Sequence, residues 1–480
     1  MKLCGRDYGA YLTVYVALTL GVIMSLCLAL IEGVRTNAIK MEAVCICDVA
    51  GNSVLAEYHR ELWEQYNLFY VDVSYGTPYV SPLSVKNRMQ YYLDKNVDYE
   101  EVEILDYLYK DFLGISFENL DLNQVHMATD AQGAVFRSSA INAIKDDFGV
   151  TQIESILGWL GEVTGSGFLE EDTSSQKEQI YEEVESYRDS YTVGGQSVVI
   201  DIVNPVEVAK EMETRGILSL CMAEETVSGV QIEPSSYISY RYNTPEAVCT
   251  GTYVEEENLS VTDNLLLREY FIRYAGRYGQ EKQGSLLKYQ TEYVINGKPD
   301  DYSNLSEVAG RICAIREAVN VAHIYGSEEK MALAKVLGTA LAAAVLLPEA
   351  AEVFSAGVVL AWGFMESVHD VKVLLSGGEI PFIKTKESWY TDLDSIWQGD
   401  VGYDSGRKGQ SYEDYLRLFL YLTDTKTATY RFMDLCEMDI RLTPGNENFR
   451  IDACADRFEL SMDVVSRYGY RYEAMRELHY

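Results

Sequence analysis

The chain is poor in basic residues, with 40 Lys and Arg against 74 Asp and Glu and a formal net charge of −34 at pH 7. A negatively charged surface repels phosphate backbones and anionic lipid headgroups. We therefore expect no nucleic-acid partner and no lipid bound by electrostatic attraction. Solubility is the simplest consequence of the acidic balance. The alternative explanations for the excess of acidic residues are recognition of a partner through an acidic surface and several weak calcium sites.

Sequence motifs for catalysis and cofactor binding are missing. There is no P-loop, no HExxH, no GxSxG and no dinucleotide fingerprint between a strand and a helix. The histidines are scattered without ligand spacing, at His59, His126, His323, His369 and His479. The expectation is therefore a non-enzymatic protein with no catalytic residues, no cofactor and no metal.

Two Ser-x-x-Lys matches resemble a serine–lysine nucleophile pair, at Ser174 with Lys177 and at Ser327 with Lys330. Both lie in polar segments without the companion motifs of that chemistry, so the sequence favours chance.

A cluster of aspartates follows in "TDLDSIWQGDVGYD", at Asp392, Asp394, Asp400 and Asp404. The spacing is not that of an EF-hand, because Trp397 stands where the glycine belongs. A solvated loop is the favoured interpretation, and a calcium site is the alternative.

The nine cysteines contain no CxxC pair. Cys221 with Cys249, or Cys436 with Cys454, would be candidate disulfides in an oxidising compartment, and free buried thiols are the alternative.

The strongest feature that is present is an apolar run from Tyr8 to Ile31, which is 24 residues without a formal charge. As a helix it is roughly 36 Å long, enough to cross a hydrocarbon core of about 30 Å. A cleaved signal would have a shorter apolar core and a small-residue cleavage site, which "LALIEGVR" does not offer. The run predicts a single transmembrane helix over 8–31, with a cleaved signal and a buried helix as alternatives.

The orientation depends on a weaker signal, because Lys2 and Arg6 before the run balance Arg35 and Lys40 after it. A short cytoplasmic tail, residues 1–7, and a large extracytoplasmic domain form the simplest single-pass topology. We therefore expect a cell-membrane protein with its N-terminus inside.

The polar sequence after the run has no Pro between Glu32 and Tyr70, and apolar residues recur in steps of three and four. This period predicts a stalk helix over 32–71 with one apolar face. The predicted interaction face comprises Val34, Ala38, Met41, Cys45, Leu55, Tyr58, Leu62, Tyr66 and Phe69. We expect its upper part, Leu55 to Phe69, to pack on the protein itself and its lower part to contact a partner.

The remainder divides into a mixed α/β region, 72–300, and a mainly helical region, 301–480. β-like alternation over 114–130, "QSVVIDIVNP", "LLKYQTEYVINGK" and "YGYRYEAMREL" predict strands. Apolar runs over 336–348 and 353–365 are each too short to span a membrane, so 331–375 is predicted to be a buried helical hairpin, with a second membrane element as the alternative. The expected fold class is α+β, mainly helical with a small sheet.

Several segments resemble an uncharacterised domain-of-unknown-function family of Gram-positive anaerobes that is associated with Tad/Flp-type pilus and secretion loci. They are "YLTVYVALTLGVIMSLCLALIEGVR" with its continuation to Asp72, "LKYQTEYVINGK", "NLSEVAGRICAIREAVN", "AWGFMESVHDVKVLLSGGEIPFIKTKESW" and "SYEDYLRLFLYL". The order of these segments along most of the chain is the more specific part of the likeness.

This resemblance implies a membrane-anchored, pilin-like structural or assembly component with protein partners in an envelope pilus or secretion complex. It supplies no catalytic residues. The fifth residue after Gly5 is Ala10 rather than the Glu of typical prepilin processing sites, which argues against polymerisation as a major pilin. The alternative function is an anchored extracytoplasmic binding or hydrolytic domain with an acidic metal site.

Overall fold

A computed structural model describes residues 8–97, 113–169, 173–189, 192–193, 196–197, 205–222, 227–243, 248–252, 259–393 and 408–480. The chain forms two compact units, and neither is continuous in sequence. The first comprises Met1–Val135, Cys249–Glu256 and Asn448–Tyr480, and the second comprises Phe136–Val248 and Glu257–Glu447. This division differs from the predicted segments 72–300 and 301–480, because the C-terminal strands join the N-terminal helix.

The described part of the first unit contains three helices and a four-stranded sheet. The helices are α1 (Tyr8–Leu55), α2 (Arg60–Tyr66) and α3 (Leu83–Val97). The strands are β1 (Val71–Asp72), β2 (Ile115–Met127), β5 (Cys454–Ser466) and β6 (Arg471–His479). The strands predicted over 114–130 and in "YGYRYEAMREL" are thereby confirmed, and α+β is the fold class.

The sheet is antiparallel and is built around β5. β2 pairs with one edge of β5, while β6 and the short β1 pair with the other. Alternate β5 residues, including Phe458, Leu460 and Met462, are buried. They share one hydrophobic core with the inner face of α1 and with Val85 and Met89 of α3.

The helix that carries the apolar run ends earlier than predicted, at Leu55 rather than near residue 71. The chain turns at 56–59, where the His59 N–H donates to the Tyr70 carbonyl at 2.7 Å. His59 then caps α2, because its Nδ1 accepts from the Leu62 N–H, and α2 ends where Asn67 adopts a left-handed conformation. The segment predicted to be one stalk helix therefore forms two helices, the end of α1 and α2. The turn between them contains no Pro or Gly that would have predicted it.

Where it is described, the second unit is almost entirely helical. Besides the two-residue strands β3 (Thr192–Val193) and β4 (Gln196–Ser197), its elements are the following helices. They are α4 (Asp130–Ile144, which begins in the first unit), α5 (Val150–Gly165), α6 (Thr173–Asp189), α7 (Pro205–Arg215), α8 (Ile217–Cys221), α9 (Ile238–Arg241), α10 (Val261–Tyr274), α11 (Gln290–Asn296), α12 (Asp301–Gly326), α13 (Glu328–Ala344), α14 (Ala351–Leu375), α15 (Tyr412–Leu422) and α16 (Thr425–Arg441).

The segment predicted to be a helical hairpin contains α13 and α14, joined by the short turn that Pro348 begins. The helices approach closely at Gly338, where any side chain would overlap the backbone of Ser355. Two helices of the described chain are long and apolar enough to cross a membrane, one within α1 and one over Pro348–Leu375. In the most apolar 18-residue stretch of the second, 78% of the residues are buried in protein, as in a core helix.

One predicted strand is wrong. The segment "LLKYQTEYVINGK" contains α11, and its Asn-Gly does not form a hairpin turn. Gly297 instead ends the helix in a left-handed conformation, with its N–H donating to the Tyr293 carbonyl. Of "QSVVIDIVNP", β4 covers Gln196–Ser197 and Pro205 begins α7, while 198–204 lie outside the described residues.

Candidate functional site

The nine residues of the predicted interaction face do not share one surface. In α1, Val34 and Met41 are 69% and 70% exposed, Cys45 is exposed and Ala38 is half-buried. Leu55, at the end of α1, and Tyr58 are half-buried. Further along the chain, Leu62 and Tyr66 are fully buried, whereas Phe69 is 39% exposed.

The face of α1 that packs on the first unit is a different one. Its buried residues are Ile39, Ala43, Ile46, Cys47, Ala50 and Val54. They also recur at helical spacing, so the sequence offered two apolar faces on the same segment, and only packing distinguishes them. Gly51 lies beside this buried face and leaves no space for a Cβ against Leu478 of β6.

A group of aromatic rings surrounds Phe69 in the first unit. The Phe69 ring lies 5.2 Å from the ring of Tyr58 and 5.6 Å from that of Tyr480, measured between centroids. Trp63 completes the group at 6.0 Å from Phe69. These contacts tie the turn after α1 to the C-terminal end of the chain.

In the second unit, a cavity of about 440 Å³ opens beside α13 and α14. Its wall includes Trp362, which is buried on α14, and Trp389, which is half-buried in the following loop. Both indole N–H groups donate to the Thr391 carbonyl, at 3.3 and 2.7 Å, and the two rings meet edge to face. The cavity therefore has aromatic walls whose positions are fixed by a shared acceptor.

Lys330 of α13 extends over both indoles. Its Nζ lies 3.9 Å from the centroid of the Trp389 ring and 4.7 Å from that of Trp362, which are cation–π distances. Within the described ranges, no carboxylate lies at ion-pair distance from this ammonium. Burial disfavours its charge and lowers the pKa of Lys330 to about 8.

The neighbouring charges of the cavity are arranged differently. Lys386 pairs with Glu329 at 2.6 Å, and both side chains are largely exposed. His323 stacks on Trp389, and burial, together with the positive charges of Lys330 and Lys384, lowers its pKa. His323 is therefore mostly neutral at pH 7, and, as far as the described part of the wall goes, Lys330 is the cation that lacks a carboxylate partner.

A buried ionic network lies close to this cavity, on the inner side of α14. The Lys384 Nζ is 2.6 Å from Glu366 Oε1 and 2.6 Å from Asp370 Oδ1, and these three side chains are at most 1% exposed. Arg316 of α12 donates to Asp370 at 2.9 Å. Burial disfavours the Asp370 carboxylate, but the Arg316 and Lys384 charges outweigh it and hold its pKa well below the usual range.

Glu366, His369 and Asp370 bring one ligand atom each within 4.8 Å of the others, which is close enough for a metal site. The position between the two carboxylates is filled by Lys384, and Glu366 also accepts hydrogen bonds from the Thr391 N–H and hydroxyl. Two cations thus balance two carboxylates. The residues fit an internal ion-pair network and do not fit a metal.

The other sequence candidates have ordinary structural roles where they are described. Lys177 forms ion pairs with Glu213 and Glu317, at 2.8 and 3.0 Å. The Ser327 hydroxyl caps α13 by accepting from the Lys330 N–H. Asp392 lies on the cavity wall, whereas Asp394, Asp400 and Asp404 lie outside the described residues.

The cysteines of the described chain are all free thiols. Cys45 and Cys47 lie on different sides of α1, one exposed and one buried.

Comparison with known proteins identifies one family. A family model described as a family of unknown function, DUF5702, matches residues 199–466, which is more than half of the chain. The match includes four of the five segments on which the resemblance was based and lies outside the apolar run. No curated protein and no solved structure matches the chain.

Proposed function

The chain belongs to DUF5702, a family of unknown function, and we propose from its apolar helix and its sequence resemblance that it is a membrane-anchored, pilin-like structural or assembly component of a Tad/Flp-type pilus or secretion apparatus. The proposal gives it no enzymatic activity. Its partners would be the membrane, through one span, and other proteins of the envelope complex.

The observation that carries the proposal is the surface of α1 over the apolar run. The side chains there are unburied, with Tyr11 at 78%, Leu18 at 66% and Leu30 at 63% exposure. Exposure of apolar surface to water is unfavourable by about 25 cal/mol per Å², so a run of this length requires an apolar environment. The length of the run and its lack of charge fit the hydrocarbon core of a membrane.

The junction between this run and the folded part supports an anchor that is retained. α1 continues without a break from the run into the segment that carries Ile39, Cys47 and Val54, which are buried in the first unit. An anchor joined in this way holds the unit at a fixed position near the bilayer. That arrangement suits a subunit that is placed for assembly.

The segment just beyond the run offers a surface for a partner. Val34, Met41 and Val49 are apolar and at least half exposed, although the opposite side of the same helix is buried. The assignment to a pilus or secretion system rests on the sequence resemblance and on this exposed apolar side. The orientation proposed with it places the N-terminus in the cytoplasm and the large domain outside.

Protease added to intact protoplasts tests the anchor and its orientation together. We expect the large domain to be digested, and a fragment that contains residues 8–31 to remain in the membrane and to be identified by mass spectrometry. A domain that is fully protected would reverse the orientation. Mature protein that lacks residues 8–31 and is released from the membrane would replace the anchor with a cleaved signal.

The alternative of an anchored binding or hydrolytic domain with an acidic metal site remains a prediction. Asp392 is the one member of its aspartate cluster that the described residues include. Hydrolytic activity that depends on added calcium or zinc, and that is lost in an Asp392→Asn variant, would favour this alternative.

A further inference from the structure

The cavity beside α13 and α14 has the features of a small-molecule site. Its volume, about 440 Å³, is that of pockets that enclose small ligands. Its wall combines apolar and aromatic side chains, including Leu333 and Trp362, with a similar number of charged and polar ones, and the indoles are held by their hydrogen bonds to Thr391. The wall is therefore preorganised, and ligand binding would not have to immobilise the indole side chains.

We propose that this cavity binds a small organic carboxylate with a ring-shaped or apolar body, and that the Lys330 ammonium pairs with the carboxylate. The proposal does not depend on membrane anchoring or on assembly of a pilus.

Lys330 is the group that selects a negative charge. It is held over two indoles at cation–π distance, and no described carboxylate neutralises it. The other lysines near it, Lys384 and Lys386, are already paired with Glu366 and Glu329. Among the described residues, Lys330 is therefore the lysine of the wall that is left for an incoming anion, and it is partly removed from water, where an ion pair is stronger than at an open surface.

The remaining charges favour a carboxylate over a phosphate. Glu329 and Asp392 lie on the same wall, so a dianion would be repelled more strongly than a monoanion. The apolar part of the wall favours a ligand that carries a ring or a hydrocarbon body beside its charge.

Calorimetric titration of the full chain in lipid nanodiscs tests the proposal with benzoate as the probe. Benzamide has the same ring without the charge, and phenyl phosphate carries a dianion. We expect benzoate to bind at least tenfold more tightly than benzamide and more tightly than phenyl phosphate. Equal binding of benzamide would overturn the role of the charge, and tighter binding of phenyl phosphate would overturn the carboxylate assignment.

Two lysine variants locate the site. Lys330→Met keeps the aliphatic stem over the indoles but removes the charge, so we expect at least a tenfold loss of benzoate affinity, while Lys330→Arg retains most of it. Lys386→Met is the matched control, because Lys386 lines the same cavity but is paired with Glu329. An unchanged affinity in Lys330→Met, in protein whose thermal unfolding matches that of the wild type, would overturn the proposal.

The pH dependence gives an independent readout. Lys330 faces Glu329, Glu366, Lys384 and Lys386, and with a pKa of about 8 it loses its proton just above neutrality. Benzoate stays ionised throughout this range. Its affinity should therefore fall as the pH rises from 7 to 10, and a flat profile over this range would contradict the assignment. The profile is read above pH 7 because His323, which lines the same cavity beside Lys330, gains its own positive charge at lower pH.

Discussion

The Cys47 thiol on α1 lies 3.5 Å from the Met462 sulfur on β5, and both side chains are buried. β5 is the strand with which the other three strands of its sheet pair. This contact therefore joins the helix that carries the apolar run to the centre of the first unit. Any force or displacement transmitted along α1 would reach the sheet through this packed face.

Thiol labelling should distinguish the two sides of α1. Burial raises the pKa of Cys47 to about 11, so its thiol is neutral as well as inaccessible at pH 7. In purified, detergent-solubilised protein, we expect a maleimide to modify Cys45 and to leave Cys47 unmodified until the protein is denatured. Tandem mass spectrometry of the single peptide that holds both residues measures this.

Labelling of cells with a membrane-impermeant maleimide checks the proposed orientation. Modification of Cys45 in cells lysed without detergent, which leaves a partner bound to α1, but not in intact cells would place the domain on the cytoplasmic side. Modification of Cys47 in native protein at the rate of Cys45 would contradict the packing of α1 on the sheet.

Aspartate substitutions should separate internal packing from partner binding. Leu62→Asp buries an unpaired carboxylate at a fully buried position, and we expect a loss of about 2 to 4 kcal/mol in the free energy of unfolding. Met41→Asp changes a side chain that is 70% exposed, and we expect a change within about 0.5 kcal/mol.

Met41→Asp should nevertheless abolish co-purification with other envelope proteins, if that side of α1 contacts a partner. Thermal unfolding of detergent-solubilised protein and a pull-down from solubilised membranes provide the two measurements. If Met41→Asp keeps its full set of co-purifying proteins, the exposed side of α1 has no role in assembly.

The sequence was informative where one local pattern decides the structure. The uncharged run from Tyr8 to Ile31 predicted a helix, and α1 contains it; the alternation over 114–130 predicted a strand, and β2 lies within it. Alternating apolar residues are also present at Phe458, Leu460, Met462 and Val464, so β5, which was missed, had a readable signal.

Other features depend on contacts between distant residues. The end of α1 depends on the His59–Tyr70 hydrogen bond and on Glu57, which accepts from Tyr92 at 2.7 Å and pairs with Arg88. Asn296-Gly297 was misread because a glycine with positive φ serves a hairpin turn and a helix end equally well.

The cavity had no signal in the sequence. Its central residues, Lys330, Trp362 and Trp389, belong to two helices and a loop, and no spacing links them. Within α14, Glu366, His369 and Asp370 are spaced to share one side of the helix, but that spacing alone would have suggested a metal. The competing cation, Lys384, comes from the following loop and becomes apparent only in the folded chain.

Removing the charge of Lys384 should be far more damaging than removing that of Lys386, two residues away. Lys384→Met would leave Glu366 and Asp370 buried with one remaining cation, and losing one partner of a buried ion pair costs about 3 to 5 kcal/mol. Lys386→Met removes an exposed pair with Glu329, and we expect no measurable change in unfolding. Chemical denaturation of both variants beside the wild type measures the difference, and equal stabilities would show that the network is not sealed from water.

Stability of the second unit should decline between about pH 5 and pH 7 in part through Glu292. This side chain is fully buried on α11, and burial raises its pKa to about 7, although hydrogen bonds from the Tyr278 N–H and the Tyr412 hydroxyl partly offset the shift. In this interval the folded protein holds the proton and the unfolded chain does not, so unfolding releases it. The free energy of unfolding therefore falls as the pH rises towards 7 and becomes independent of this group above it.

Glu292→Gln should remove that part of the slope. Glu292 Oε1 accepts both hydrogen bonds, and Oε2 has no partner among the described residues, so an amide can keep the two bonds without a charge. We expect the variant to equal the wild type near pH 5 and to exceed it by a few kcal/mol at pH 8. Asp434, whose pKa burial also raises to about 7, remains in the variant, so a reduced slope rather than a flat profile is expected. Denaturation curves at pH 5, 6, 7 and 8 measure the difference, and a variant less stable than the wild type at pH 8 would show that Glu292 is needed as a carboxylate.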